Sequence, residues 1–339
     1  MIDYSLLNKL CSENGVSGDE ENIRNIILDE IKDYIDEYKV DSMGNLIVFK
    51  KGNDRAARKL LLSAHMDEVG FIIKHITDDG FLKFSTVGGI EKSALCGRNV
   101  IIGKNKINGV VASKPIHLLK PKEREKALDI DDLYIDIGAN CKEEAQNYVS
   151  LGDFACFKST FDISSKSVKS KAIDDRIGCA VLIDMIKSNL PYDMYFSFVV
   201  QEEVGLRGST TAAYYVNPDA AIVVEATTAA DIPQSKDEVC SLGKGAVVSF
   251  MDRGTIYDKE YFNLVLDISK SINTKVQVKR AVAGGNDSAA IQKSRNGVRT
   301  IALSLPCRYI HSEMAIAFKE DIESLSKIVL ETAIRIAQG

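Results

Sequence analysis

Two short strand-like runs in this chain each end in a cluster of acidic residues, and this arrangement constrains the fold more than any other feature. Met194–Val200 is followed by Glu202 and Glu203, and the strand candidate Lys59–Ala64 is followed by His65–Glu68. Apolar runs of this length are typical of buried strands. Open α/β sheets place functional groups at the carboxyl ends of their strands, so we expect both clusters to lie at one sheet edge.

Two further segments supply the remaining carboxylate and imidazole groups that a site for divalent metals would need. The segment Lys171–Arg176 carries Asp174 and Asp175, and His311 lies near the C-terminus. Each feature alone has an ordinary explanation, such as a solvated acidic loop, an acidic first turn of a helix or an exposed strand end. Together, the nitrogen and oxygen donors predict a site for two ions such as zinc, cobalt or manganese, and a metallohydrolase.

The composition fits this expectation and excludes several other classes of protein. With 45% hydrophobic and 27% charged residues, the chain resembles soluble globular proteins with a sizeable core. A net charge of −5 gives no electrostatic reason to bind nucleic acid or an anionic membrane. There is no apolar run of about 18 residues and no signal-peptide pattern, so we expect neither a spanning helix nor a cleaved leader.

The cysteines indicate a reducing compartment. There are seven of them, an odd number, and no CxxC pair. This pattern argues against a disulfide framework and against a thiolate zinc site. We therefore expect free thiols and a cytoplasmic protein.

The pattern of predicted elements changes twice along the chain. Helix and strand signals alternate in residues 1–69, short β-rich pieces dominate residues 70–165, and helix–strand alternation returns in residues 166–339. A small β domain inserted into an α/β domain explains this order better than two consecutive domains.

Local patterns give three more specific expectations. Ser17–Glu20 has the residues of a capping box at the start of a helix. Lys39–Phe49 has the composition of a single strand. The charged stretch Lys120–Asp132 is expected to be mobile.

Six segments carry a resemblance to a known family. In chain order they are HMDEVGFI, KAIDDRIG, QEEVGLRGS, VVEATTAAD, GGNDSAAIQ and PCRYIHS. This series resembles the M42 aminopeptidases, the glutamyl-aminopeptidase and tetrahedral-aminopeptidase group, over nearly the whole chain. The resemblance implies an α/β fold: a mixed-sheet catalytic domain like that of the zinc exopeptidases, with an inserted PDZ-like or β-barrel dimerisation domain.

The resemblance also implies a set of metal ligands. His65 and His311 each bind a different metal, and Asp174 bridges the two. Glu203 joins His311 on one metal, and Glu225 joins His65 on the other. Many family members have Asp where this chain has Glu225, so the coordination at that position stays open.

Two further residues are implied to act beside the metals. Glu202 is the general acid/base, which takes a proton from the attacking water and returns it to the leaving amine. Asp67 orients His65. In the loop Gly284–Asp287, Asn286 replaces the family's usual Thr, which leaves the preferred N-terminal residue open.

These roles predict a metal-dependent aminopeptidase that removes N-terminal residues from oligopeptides through a water shared by two metals. One alternative is a metal-dependent amidohydrolase or deacylase acting on small N-acyl compounds. Another is a non-catalytic protein that keeps the fold, but every implied ligand and the base are present. A glycosidase is rejected because its pair of carboxylates does not come with metal-binding histidines.

The family resemblance also implies self-association. Its β domain pairs subunits, and the pairs build a tetrahedral homododecamer whose enclosed space admits short, unfolded peptides. The residues alone predict only a β-rich insert with strand edges that could pair.

Overall fold

The computed structural model describes residues 2–118, 129–233, 235 and 239–339, so residues 120–128 of the stretch predicted to be mobile lie outside it. Within this range the helices are α1 (Tyr4–Ser12), α2 (Glu21–Ile31), α3 (Lys142–Gln146), α4 (Ile173–Lys187), α5 (Arg207–Val216), α6 (Lys259–Ser271), α7 (Ser288–Ile291) and α8 (Lys319–Gln338). Short 3-10 turns lie at Lys32–Tyr34, Lys92–Ala94, Ile116–Leu118 and Ile130–Asp132. None of the described helices is long and apolar enough to cross a membrane.

The strands of the described residues form three sets. In chain order they are β1 (Glu37–Val40), β2 (Leu46–Lys50), β3 (Leu60–His65), β4 (Gly70–Ile76), β5 (Leu82–Val87), β6 (Asn99–Ile102), β7 (Ile107–Ser113), β8 (Leu133–Asp136), β9 (Phe154–Phe157), β10 (Asp162–Ile163), β11 (Ser167–Ser170), β12 (Met194–Val199), β13 (Ala220–Thr228), β14 (Ala246–Val248), β15 (Val276–Val278), β16 (Arg299–Cys307) and β17 (Ala315–Phe318). An eight-stranded sheet has the order β1-β2-β12-β3-β13-β16-β14-β15. The six strands β4 to β9 close a barrel, and β10, β11 and β17 form a small sheet.

The centre of the eight-stranded sheet is built from buried parallel strands. Every residue of β3 is buried, as is every residue of β13 except Thr228. β3 runs parallel to both β12 and β13. α4 packs against β3 and β13, and α8 packs against β13, β14 and β16. Strands covered in this way have near-continuous apolar sequences, and their parallel course places the carboxyl ends of β12, β3 and β13 side by side.

The barrel interrupts this sheet in the sequence. The chain leaves the sheet after β3, forms β4 to β9, and returns to the sheet at β12. The barrel interior contains Phe71, whose ring packs edge-on against Phe84 and Phe157 with centroids 5.1 and 5.3 Å apart. Such aromatic contacts add to the burial of a small core. The predicted β-rich block is thus a closed six-stranded barrel, and closure leaves its strands without free edges.

The prediction of one strand at Lys39–Phe49 is wrong. The structure has two antiparallel strands there, β1 and β2, joined by a tight turn. Asp41 Oδ1 accepts hydrogen bonds from the backbone N–H groups of Met43, Gly44 and Asn45 at 2.9 to 3.0 Å. Gly44 has a φ of 102°, which only glycine adopts without strain. An Asp that caps its own backbone in this way is a turn signal.

The capping box predicted at Ser17–Glu20 is also wrong. No side chain caps α2. Ser17 Oγ donates instead to Asp67 Oδ2 at 2.6 Å. Glu20 Oε1 accepts from the N–H groups of Gly18 and Gln201 at 2.8 and 3.0 Å. Both side chains are therefore used for contacts with the ends of β3 and β12 rather than for the helix.

Candidate metal centre

Three neighbouring strands bring predicted site residues to one edge of the eight-stranded sheet. His65 is the last residue of β3 and is paired with Val199, the last residue of β12. Glu202 and Glu203 follow the end of β12 after two intervening residues. Glu225 lies on β13, before the end of that strand. The side chains meet at this edge as the strand pattern predicts, although Glu225 lies within its strand and not at its end.

Asp174 lies between the two predicted histidines. It comes from the first turn of α4, and His311 lies in the turn between β16 and β17. His65 Nε2 is 3.3 Å from Asp174 Oδ1. His311 Nε2 is 3.3 Å from Asp174 Oδ2. The two oxygens of a single carboxylate thus face two different imidazole rings.

Two groups of possible ligands share this carboxylate. One is His65, Asp174 and Glu225, the other is Asp174, Glu203 and His311, and each has its ligand atoms within 4.8 Å of one another. Glu225 Oε1 is 3.4 Å from His65 Nε2, and Glu203 Oε1 is 3.2 Å from His311 Nε2. Asp174 Oδ1 is buried and has no hydrogen-bond partner among the described residues. A cation would satisfy that oxygen, so the donor set fits metal ions.

The charges of this cluster are perturbed by burial and crowding. Burial raises the pKa of Glu225 to about 8 and also raises the pKa of Glu203. Burial favours the neutral ring of His311, but its contacts with Asp174 and Glu203 outweigh burial and raise its pKa to about 11. Closely packed buried carboxylates resist ionisation unless cations compensate them. The electrostatics of the cluster therefore favour cation binding.

Asp67 lies beside His65, and it also holds the segment after β12. Its Oδ1 atom is 3.5 Å from His65 Nδ1. Shorter hydrogen bonds come from the backbone N–H of Glu202 to Oδ1 at 3.0 Å and from that of Glu203 to Oδ2 at 3.1 Å. Ser17 Oγ is the third donor, at 2.6 Å. Sequence reasoning missed this role of Asp67 and missed Ser17, because no local pattern links segments so far apart in the chain.

Glu202 lies in a large cavity together with the candidate ligands. The cavity has a volume of about 1180 Å³ and is lined by His65, Asp174, Glu203, Glu225 and His311 as well. Burial raises the pKa of Glu202 well above its ordinary value, which suits a general acid/base. Glu202 also forms a possible ligand group with His65 and Glu203.

A segment of the barrel contacts the metal centre. His311 Nδ1 lies 2.9 Å from the carbonyl oxygen of Gly89. This contact directs Nε2 of the same ring toward Asp174 and Glu203, as an outer partner does for metal-binding histidines. Arg98 and Glu313 form an ion pair of 2.8 Å between the barrel and the turn that carries His311. Sequence reasoning missed Gly89, because a backbone carbonyl has no residue signature.

A buried ion cluster lies on the other side of Asp174. Lys171 Nζ donates to Glu68 Oε1 at 2.5 Å and to the carbonyl of Glu13 at 3.2 Å. Arg176 is fully buried, and its Nη1 atom donates to the carbonyl of Leu10 at 2.6 Å. Buried charges are tolerated when they are paired and hydrogen-bonded. The two basic residues of the segment Lys171–Arg176 thus fix the backbone that presents Asp174.

The sequence pattern of the M42 glutamyl aminopeptidase family matches residues 44–328. The chain belongs to that family. The match includes Asp67, Glu202 and all five candidate ligands. The predictions of an M42 protein and of an aminopeptidase are therefore confirmed.

Similar proteins extend over the same length as this M42 chain. A protein of Acetivibrio thermocellus with a provisional aminopeptidase assignment is 41% identical, over 97% of each chain. The lysyl aminopeptidase of Pyrococcus furiosus is 32% identical, over 98% of this chain and 97% of its own. Among solved structures, the Pyrococcus horikoshii TET1 peptidase, described as assembling into a tetrahedron or a large octahedral shell, has a TM-score of 0.86 and 38% identity, over 97% and 98% of the two chains. The mixed α/β fold is thus that of the TET aminopeptidases.

Proposed function

We propose that this M42 aminopeptidase uses two divalent cations to release N-terminal residues from oligopeptides. Zinc and cobalt are the first candidates, with manganese as a third. The observation that supports the pair of cations most directly is Asp174, whose two oxygens face different histidines. His65 and Glu225 would complete one site, and Glu203 and His311 the other. All donors are nitrogen or oxygen, which these ions accept.

The residues around the cations have separate tasks in hydrolysis. When bound, the two ions supply a centre that lowers the pKa of a water molecule and polarises a carbonyl group. Glu202, with its raised pKa, takes a proton from the attacking water and returns it to the leaving amine. Asp67 holds the backbone of Glu202 and Glu203. A group that is fixed in advance needs no rearrangement during the reaction.

Metal dependence is tested by removing and restoring ions. Treatment with a strong chelator should abolish hydrolysis of aminoacyl-p-nitroanilides, and zinc, cobalt or manganese should restore it. Metal analysis of the restored protein should give two ions per subunit. Full activity in protein shown to be free of metal would contradict the proposal.

Dependence on a free N-terminus separates an aminopeptidase from the alternative deacylase or amidohydrolase. Cleavage of an oligopeptide should be lost when the same peptide is N-acetylated, with the products followed by mass spectrometry. Equal turnover of the acetylated and free peptides, or release of acetate, would favour the alternative function.

We further propose that residues 1–69 and 166–339 form a catalytic domain of the zinc-exopeptidase type and that residues 70–165 form a dimerisation domain. The closed barrel β4 to β9 supports this division. The shells described for the Pyrococcus horikoshii TET1 peptidase support a tetrahedral homododecamer built from dimers, which would admit short peptides.

A further inference from the structure

The cavity that holds Glu202 extends well beyond the metal centre. Its wall also includes Val239, Ser249, Asp252, Lys279 and the loop 283–286. None of these residues belongs to the proposed catalytic or metal-binding set. A cavity of about 1180 Å³ has room for an amino-acid side chain next to the reacting carbonyl.

Lys279 brings a positive charge into this wall. The side chain is half-buried, and Nζ donates a hydrogen bond to the carbonyl of Ala283 at 2.9 Å. Within the part of the chain that the structure describes, no carboxylate lies within 4.0 Å of it. Burial lowers the pKa of Lys279, against the weaker opposing effects of nearby Cys240, Asp252 and Glu225. An ammonium group has three donors, so two remain for a ligand.

Asp252 shares this wall, but its carboxylate is already occupied. Oδ1 accepts hydrogen bonds from the N–H groups of Gly254 and Thr255 at 2.8 and 2.7 Å. Oδ2 accepts from Tyr257 Oη at 2.5 Å. Asp252 therefore serves the turn that follows β14. Lys279 is left as the charged group of this wall that can receive a ligand.

We propose that Lys279 binds the side-chain carboxylate of an acidic N-terminal residue, so that the enzyme prefers peptides beginning with Glu or Asp. This inference rests on the proposed function, because it takes the metal centre as the place where the N-terminal peptide bond is cut. Family membership does not decide the matter. The family is named after a glutamyl aminopeptidase, whereas the similar protein of Pyrococcus furiosus is named a lysyl aminopeptidase, so the two names differ in the N-terminal residue.

The preference follows from the cost of a half-buried charge. A substrate carboxylate would pair with Lys279 through charge-assisted hydrogen bonds, which are stronger than neutral ones. An apolar side chain such as Leu would remove water from the ammonium group without replacing its contacts, and a Lys side chain would add repulsion. We expect a discrimination between Glu and Leu of roughly tenfold to a thousandfold in kcat/KM.

The test compares full-length, metal-loaded variants on Glu-, Leu- and Lys-p-nitroanilides. The wild type should prefer Glu. Lys279→Met should lower the ratio of the Glu and Leu values of kcat/KM at least about tenfold, and Lys279→Arg should keep most of it. Lys275→Met is the matched control. Lys275 precedes β15, is exposed and pairs with Glu320 at 2.9 Å, so its loss should leave the ratio unchanged.

Binding of free amino acids provides a second measurement that does not need turnover. By calorimetry, L-glutamate should bind the wild type at least about tenfold more tightly than it binds Lys279→Met, with no such difference for L-leucine. The inference is overturned if the wild type prefers Leu or Lys, if Lys279→Met lowers all three activities equally, or if glutamate binding is unchanged. Failure of the proposed function would instead appear as no hydrolysis of any free-amine substrate, and glutamate binding would still decide the role of Lys279.

Discussion

At the scale of single residues, Asp67 connects the two strands on which the site depends. One carboxylate lies beside the imidazole at the end of β3 and accepts the N–H groups of both Glu202 and Glu203. Ser17 occupies another acceptor position on the same carboxylate. Burial alone would raise the pKa of Asp67, but its contacts with His65, and then with Ser17 and the N–H of Glu202, outweigh burial and lower that pKa. An ionised Asp67 therefore fixes the position of Glu202, the proposed general acid/base, relative to His65 and Glu203, two candidate ligands.

The adjacent acids Glu202 and Glu203 should respond differently to the same substitution. Glu202→Gln keeps size and a hydrogen bond but cannot accept the proton of water, so kcat should fall by about 10²–10⁴. Both metals should stay bound, because the ligands are untouched. Glu203→Gln should weaken metal binding as well as the rate. The metal content of the purified variants, measured by atomic emission spectroscopy, and their kcat values check both outcomes. Loss of a metal from Glu202→Gln alone would reverse the two roles.

The strand ends and acidic pairs pointed to His65, Asp174, Glu203 and His311, whereas Glu225 was named as a candidate ligand only through the resemblance to the M42 family. Sequence reasoning could not reach Lys279, since a lysine just after a short strand is normally solvated and only the folded cavity shows otherwise. Sequence reasoning could not identify Gly89 as a contact of His311 for a different reason. Gly89 acts through a carbonyl group that every residue possesses.

At the scale of elements, the barrel and the site are in direct contact at Gly88. This residue has a φ of 80°, and a Cβ atom there would lie 2.8 Å from Val69 Cγ1 and 3.3 Å from Glu203 Cβ. The same segment continues into Gly89, which contacts His311. The segment 88–89 therefore touches two candidate ligands of one metal.

We expect Gly88→Ala to weaken metal binding about tenfold or more, because Glu203 and the Gly89 carbonyl must shift. Gly97→Ala is the matched control. Gly97 is also in the barrel segment, has a φ of 83°, and a Cβ atom there would meet nothing within 4 Å. The two positions have similar backbone strain, so Gly97→Ala shows the effect of that strain without the contacts to Val69 and Glu203. Competition with a chromogenic chelator measures the metal affinity of each variant. Equal metal affinities in the two variants would contradict the expected effect of the segment 88–89 on the metal site.

Long elements were predicted better than short ones. The strands at Leu60–His65 and Met194–Val199 lie within about two residues of the predicted runs Lys59–Ala64 and Met194–Val200. Lys39–Phe49 was predicted wrongly because its turn depends on Asp41 and Gly44. The strands β10 and β14 have at most three residues, too few for a periodic signal, and they form through their neighbours.

At the scale of the whole molecule, the barrel should govern assembly. Its segment exposes large apolar side chains, including Val110, Tyr148 and Leu151 at 41, 53 and 63%. Exposed apolar groups favour association. Sedimentation should give a mass far above the 37.2 kDa of one chain, corresponding to twelve subunits. A monomer at micromolar concentration would contradict the assembly proposal.

The proposed ligands also order events during synthesis. His65, Asp174, Glu203 and Glu225 are all translated before the turn that carries His311. A ribosome-bound chain that ends before this turn holds the donors of one cation but lacks the histidine of the other. Under the proposed ligand set, the nascent chain has no complete hydrolytic centre until the turn that carries His311 has been translated.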